Sequence, residues 1–230
     1  MTVALTFTAS ARRLGIWSAA ATVFLGLAYG VTLVAGFLSL QSPRQPIGDP
    51  WFSILEILII LTMPVMVALM VALHAWASPQ TKAFSLPALV FMSLLAGLTS
   101  SLHFVILTVS RQAAFAALPW LPLFLSFKWP SVAYALDILA WDLFFPLSML
   151  SAAPVFSGSR LATSIRVLMI VSAVLALGGL GGVIVGDMQL RNIGIVGYAG
   201  VFPVTALLLA VLFQHTTPTT PGATEPGREA

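Results

Sequence analysis

From Leu14 to Pro43, and again from Ala83 to Ser110, the chain carries no charged side chain. Each run exceeds the ~20 apolar residues that a helix rising about 1.5 Å per residue needs to cross hydrocarbon. Further runs of the same kind predict six spans: Leu14–Leu40, Trp51–Trp76, Ala83–Val109, Ser131–Phe156, Arg166–Val185 and Ile193–Phe213. They are continuously apolar and rich in Leu, Ala, Val and Ile, unlike the ~10-residue alternating segments of a membrane β-barrel. The pattern therefore predicts an all-α integral membrane bundle of about six transmembrane helices.

Between the third and fourth spans lies RQAAFAALPWLPLFLSFKWP, apolar but short and broken by Pro119 and Pro122. Arg111, Trp120, Lys128 and Trp129 bracket it, and such residues favour headgroup depth, so it is expected at the membrane interface. One transmembrane domain is expected over residues 1–213, with 214–230 as a disordered tail rich in Pro, Thr and Gly. The apolar run after ARRLG is too long for a cleaved signal and lacks an A-x-A-like site, so the first helix is expected to remain as an anchor.

Composition agrees with the pattern. The chain is 59% hydrophobic and 7% charged, against the roughly 25% charged residues of soluble domains. The net charge of +3 and pI near 9.8 come from ten basic residues scattered over membrane-flanking segments. They form no patch, which argues against nucleic acid as a partner. With the N-terminus inside, inner segments hold Arg12, Arg13, Lys82, Arg160, Arg166 and Arg228, and outer ones hold Arg44, Arg111, Lys128 and Arg191. Six against four predicts cytoplasmic N- and C-termini in a bacterial-type cytoplasmic membrane. The absence of cysteine excludes disulfides, thiol catalysis and Cys-ligated metals.

The ionisable residues within the spans are Glu56, His74, His103, Asp137 and Asp142. Each costs roughly 2.5–3.5 kcal/mol on insertion scales and is a candidate site by default. An up-and-down topology puts Glu56, His103 and Asp137 about 9 Å below the same face, on three successive helices. His103 shares its side with Ala96, Thr99, Ser100 and Ser110, small and polar positions that should face protein. Asp137 shares its side with Ala133, Tyr134, Ala140, Trp141 and Ser148. In a regular helix Asp142 falls about 140° away from Asp137, so the two are not expected to form a dyad. His74 reads as interfacial near the opposite face, and Met63 and Met70 as core filling.

Two prolines and two glycine series complete the pattern. Pro146 and Pro64 remove the helical partners of the carbonyls of Asp142 and Ile60, predicting kinks. Gly178, Gly182 and Gly186, four apart, and Gly194, Gly197 and Gly200, three apart, predict close packing of the last two helices. Asp187 and Arg191 between those helices have the spacing of an i, i+4 pair.

These features point to a small multipass membrane protein with an intramembrane carboxylate and His pocket of Glu56, His103, Asp137 and Asp142, binding or transporting a small molecule or protons. A membrane enzyme acting on a lipid or quinone, with His103 and Asp137 as base and orienter, and a non-catalytic subunit docking a partner helix or a second copy are the alternatives. No nucleophile elbow, phosphate loop or redox motif is present, and Lys128 lies in a loop rather than mid-helix. Paired metal-ligand spacings such as H-x-x-x-H are lacking, and the residues name no cofactor. The partners expected are the lipid bilayer and a small-molecule or lipid ligand.

Overall fold

The computed structural model describes residues 7–42, 45–116 and 118–218. Arg44 and Arg228, used above for orientation, and residues 219–230 of the expected tail lie outside them. Every regular element among the described residues is helical. Six are long and apolar enough to cross a membrane: α1 (Ala9–Leu38), α2 (Trp51–Trp76), α3 (Lys82–Thr108, entered through a 3₁₀ turn at Pro79–Thr81), α4 (Val132–Val155), α5 (Arg160–Val185) and α6 (Met188–His215). Trp17, Phe24, Leu27 and Val31 of α1 and Val167, Val171 and Val174 of α5 are exposed on the outside of the bundle. A surface of that kind is stable only against lipid, and the chain is a multipass membrane protein.

The helix starts follow local chemistry. Thr8, Ser131 and Ser159 cap α1, α4 and α5, each side-chain oxygen accepting a backbone N–H of the first turn. Capping by Ser159 starts α5 six residues before the expected Arg166, at Arg160. Asp187 caps α6 in the same way, accepting from the N–H groups of Gln189 and Leu190. That places α6 five residues earlier than Ile193 and puts Arg191 inside the helix. The Asp187 side chain is thus used as a cap, and Arg191 pairs elsewhere, which corrects the expected Asp187–Arg191 pair. Gly186 closes α5 with φ +75°, a left-handed turn that favours glycine.

Two spans are not uniformly α-helical. α4 contains a π segment at Leu139–Phe144, and α6 one at Val196–Val201. In α4 the N–H of Phe145 donates to the carbonyl of Ala140, five residues back, directly before Pro146. Pro146, lacking an N–H, follows this wide turn, whereas α2 continues as helix through Pro64. The connection from α3 to α4 carries two single-turn helices, Ala113–Ala116 and Leu121–Phe124, and exposes Trp120, Leu123 and Phe124.

We call upper the half in which α1, α3 and α5 end and α2, α4 and α6 begin. The lower half has an apolar core of Met66, Met70, Met92, Met149, Leu73 and Phe213, all fully or almost fully buried. Polar contacts tie its helix ends, Arg12 donating to the carbonyls of Phe213 and Gln214 and Trp76 Nε1 to Thr216 Oγ1, and inside it Ser148 Oγ donates to the carbonyl of Ala88 at 2.7 Å. His74 Nδ1 meets Ser85 Oγ at 2.8 Å, and Lys82 Nζ donates to the carbonyl of His74.

Candidate functional site

The upper half holds a chain of charged side chains from four helices. Glu56 Oε2 of α2 lies 2.9 Å from His103 Nδ1 of α3, both buried. His103 Nε2 faces Asp137 Oδ1 of α4 at 3.7 Å. Asp137 Oδ2 lies 3.8 Å from Arg191 Nη2 of α6, and Arg191 Nε donates to Asp142 Oδ2 at 2.9 Å. Glu56, His103, Asp137 and Asp142 thus belong to one network, and Arg191, which sequence reasoning assigned to a loop, joins its two aspartates.

The π segment accounts for the meeting of Asp137 and Asp142 on one guanidinium. A π turn closes i to i+5 and takes in an extra residue, so it reduces the rotation between positions five apart. The separation of about 140° expected for a regular helix therefore does not apply. The two carboxylates are still no dyad: Arg191 stands between them.

Glycines make room for this arrangement. A Cβ on Gly194 would stand 2.5 Å from Asp142 Oδ1, and one on Gly179 would stand 3.2 Å from it. One on Gly182 would meet the backbone of Arg191 at 2.3 Å, and one on Gly197 the carbonyl of Ser172 at 2.5 Å, where the Ser172 hydroxyl donates to Gly197 O at 2.7 Å. Gly178 and Gly186 face open space, and Gly200 meets only Val196 Cγ1 of its own helix, at 3.8 Å. Close packing here runs through Gly179, Gly182, Gly194 and Gly197.

All three tyrosines of the chain gather at the network. Tyr134 OH lies 3.5 Å from Arg191 Nη1, with the guanidinium 5.2 Å from its ring. Tyr198 is within electrostatic reach of Arg191, Asp142 and Asp137, and Tyr29 of Asp137 and Glu56. Asp137 is thus approached by His103 from α3 and Arg191 from α6, with Asp142 of α4, Tyr198 of α6 and Tyr29 of α1 within electrostatic reach of it. From α5, Gly179 closes on Asp142. From the α3–α4 connection, the Phe127 ring lies 4.8 Å from that of His103, tilted by 30°.

Three buried polar atoms of the network have no hydrogen-bond partner among the described residues: His103 Nε2, Arg191 Nη2 and Asp142 Oδ1. The first two point at Asp137 from beyond hydrogen-bond reach. Asp137 is the most accessible of the three carboxylates, its side chain 14% exposed against 4% for Glu56 and 0% for Asp142. Among the described residues no three His, Asp or Glu side chains are arranged to hold a metal ion.

At the upper surface, one turn before Glu56, Arg111 donates to Ser53 Oγ at 2.7 Å and pairs with Asp49 at 3.0 Å. The Ser53 hydroxyl, aided by Arg111, holds the Asp49 carboxyl below its usual range. Arg111 also lies over the ring of Phe52.

The sequence carried a signal for Arg191 that spacing with Asp187 obscured. An Asp directly before an apolar run reads as an N-cap, and a cap at Asp187 starts the helix early enough to enclose Arg191. No comparable signal marked the tyrosines, whose convergence depends on the crossing of α1, α4 and α6. No protein-family model, curated protein or solved structure matches the chain.

Proposed function

We propose that this membrane protein takes up a proton from its upper face into the Glu56–His103–Asp137–Arg191–Asp142 network, and that this proton drives its function as a small carrier or proton-responsive protein. The observation that carries the reading is the charge balance. Three carboxylates stand against two basic groups, Arg191 and His103, and even with His103 charged one negative charge is left over. An uncompensated charge in a buried site costs several kcal/mol, and a proton removes it.

The geometry gives that proton a path. With Glu56 ionised, His103 Nδ1 carries hydrogen and donates to it; a neutral ring then presents a lone pair at Nε2 towards Asp137. A first proton reaching Asp137 passes to Nε2, leaving a carboxylate between imidazolium and guanidinium; a second proton, kept on a carboxyl of the network, removes the charge that remains. The path ends in the buried apolar Met and Phe core of the lower half, which favours a site loaded from one face over an open conduit. Orientation follows from the basic residues. With Arg191 inside the bundle the loop tally becomes six inner against three outer, which supports an outer upper face.

The test is infrared difference spectroscopy of the purified protein in nanodiscs across a pH titration. A protonated carboxyl band should rise as pH falls, and Asp137→Asn or Glu56→Gln should remove or shift it while far-ultraviolet circular dichroism stays helical. If no carboxyl in the bilayer-embedded protein titrates between mildly acidic and mildly alkaline pH, the proton reading is wrong. A band unchanged in both variants, with a large loss of thermal stability, would assign the network to holding the bundle together instead.

A further inference from the structure

Among the described residues, four buried side-chain polar atoms lack a hydrogen-bond partner: Thr99 Oγ1, His103 Nε2, Asp142 Oδ1 and Arg191 Nη2. All lie in the upper half, Thr99 one turn below His103 on the same side of α3. Asp142 Oδ1 is covered by Gly194 and Gly179. The two nitrogens, on residues more than nine-tenths buried, converge on the two oxygens of one carboxyl. His103 Nε2 faces Asp137 Oδ1 across 3.7 Å, and Arg191 Nη2 faces Oδ2 across 3.8 Å.

The fold sets these separations. A charged N–H···O pair in direct contact closes to about 2.7–2.9 Å, as Glu56 does with His103 and Asp142 with Arg191, both at 2.9 Å. Those same contacts pin the two residues. The His103 ring is rigid, with Nδ1 on Glu56 and the Phe127 ring 4.8 Å away, so Nε2 reaches Asp137 only by breaking the Glu56 pair. Arg191 is fixed likewise, its Nε on Asp142 and its backbone against Gly182. Asp137 stands on a short side chain between two anchored nitrogens. Polar groups held more than about 3.5 Å apart, each with bonding capacity left over, suit a bridging water. A buried water needs about two to four polar partners. Asp137, Nε2 and Nη2 supply them, and the side chain of Asp137, 14% exposed, lets the water exchange with the upper face. A metal cation there would meet the Arg191 guanidinium and an anion the three carboxylates, whereas a small neutral molecule that both donates and accepts fits.

We propose that water held between Asp137, His103 Nε2 and Arg191 Nη2 is a built part of the network and carries the proton from Asp137 to His103. The proposal rests on the proton reading above and names the carrier at that same site. Transfer conserves the water. The O–H bond of protonated Asp137 breaks as its hydrogen passes to the water oxygen, and a hydrogen of that water passes to Nε2, forming the N–H bond. The products are Asp137 carboxylate, imidazolium and a water molecule. Arg191 stabilises the charge left on Asp137.

The experiment is water-edited solid-state NMR of the full chain in lipid bilayers, with nitrogen-15 in His and Arg, following magnetisation from water protons to side-chain nitrogens. His103 Nε2, assigned by its loss in His103→Gln, should receive it about as fast as the exposed His215, although His103 is only 6% exposed. Asp137→Glu adds a carbon–carbon bond of about 1.5 Å, enough to close either separation and expel the water. Transfer to Nε2 and Nη2 should then be lost while the infrared carboxyl band persists. Asp137→Asn, of unchanged length, should keep the transfer. Transfer to Nε2 no faster than diffusion through the apolar core, transfer undiminished in Asp137→Glu, or transfer lost in Asp137→Asn overturns the proposal. Where Asp137→Glu does not fold, the unaltered chain and Asp137→Asn decide. A carboxyl that titrates in the infrared experiment without water transfer to Nε2 refutes only the water relay; no titrating carboxyl refutes the proton reading itself.

Discussion

The upper and lower halves of the bundle are built from the same six apolar spans, yet their interiors differ. Below, Met66, Met70, Met92, Met149 and Phe213 fill the space between helices, and the polar groups are hydroxyls such as Ser148, bonded to the carbonyl of Ala88, and partners for helix ends. Above, five ionisable side chains and three tyrosines meet, and both π segments and the close-packing glycines lie around them. Lipid is as apolar as the lower core, so that core gains from close packing rather than from escape from water. The upper half has no such freedom, because each charge there must find its counterpart. The irregular helices are part of that solution: a regular α4 would turn Asp142 away from the guanidinium that Asp137 approaches.

This contrast can be broken at its strongest point. Arg191→Leu leaves Asp142 buried without its ion pair and should cost about 3–5 kcal/mol in thermal or denaturant unfolding in detergent. The double change Arg191→Leu with Asp142→Leu should recover much of the loss, because an apolar pair needs no compensation. A neutral Arg191→Leu would show that the upper half is no more demanding than the lower.

In the lower half, Phe213→Ala should cost about 3 kcal/mol through lost packing against Phe7 and Gly15. That loss should be the same at all pH values, while the upper-half variants change the shape of the pH profile. A pH-dependent Phe213→Ala would mean that the two halves are coupled.

A smaller effect sharpens the role of the glycines. Gly194→Ala drives a methyl onto Asp142 Oδ1 and should cost about 1–3 kcal/mol. Gly178→Ala, facing open space, should stay within about 0.5 kcal/mol. Equal effects would show that glycine identity here matters only for helix propensity.

The smallest change is expected at the upper rim. Asp49 is held below its usual range in the folded protein, so its pairing stabilises the fold above the unfolded carboxylate range and is lost as pH falls through the folded value. Asp49→Asn should therefore lower the melting temperature slightly at neutral pH and leave it unchanged in strong acid. The effect should shrink in high salt, since the Asp49 side chain is 57% exposed and Arg111 is screened.

Much of this was legible in the chain itself. Charge-free runs predict the spans because a helix in hydrocarbon pairs its backbone N–H and C=O groups within itself. Glu56, His103 and Asp137 stood out because ionisable groups at membrane depth are expensive and rare, and helix topology alone gave them a common depth. What tertiary structure decided was angular and long-range. Whether Asp137 and Asp142 share a partner depends on a π turn, which a 100° periodicity does not encode. Whether Arg191 is a loop cation or a buried one depends on Asp187 acting as a cap and on Gly179, Gly182 and Gly194 letting α5 and α6 close around it.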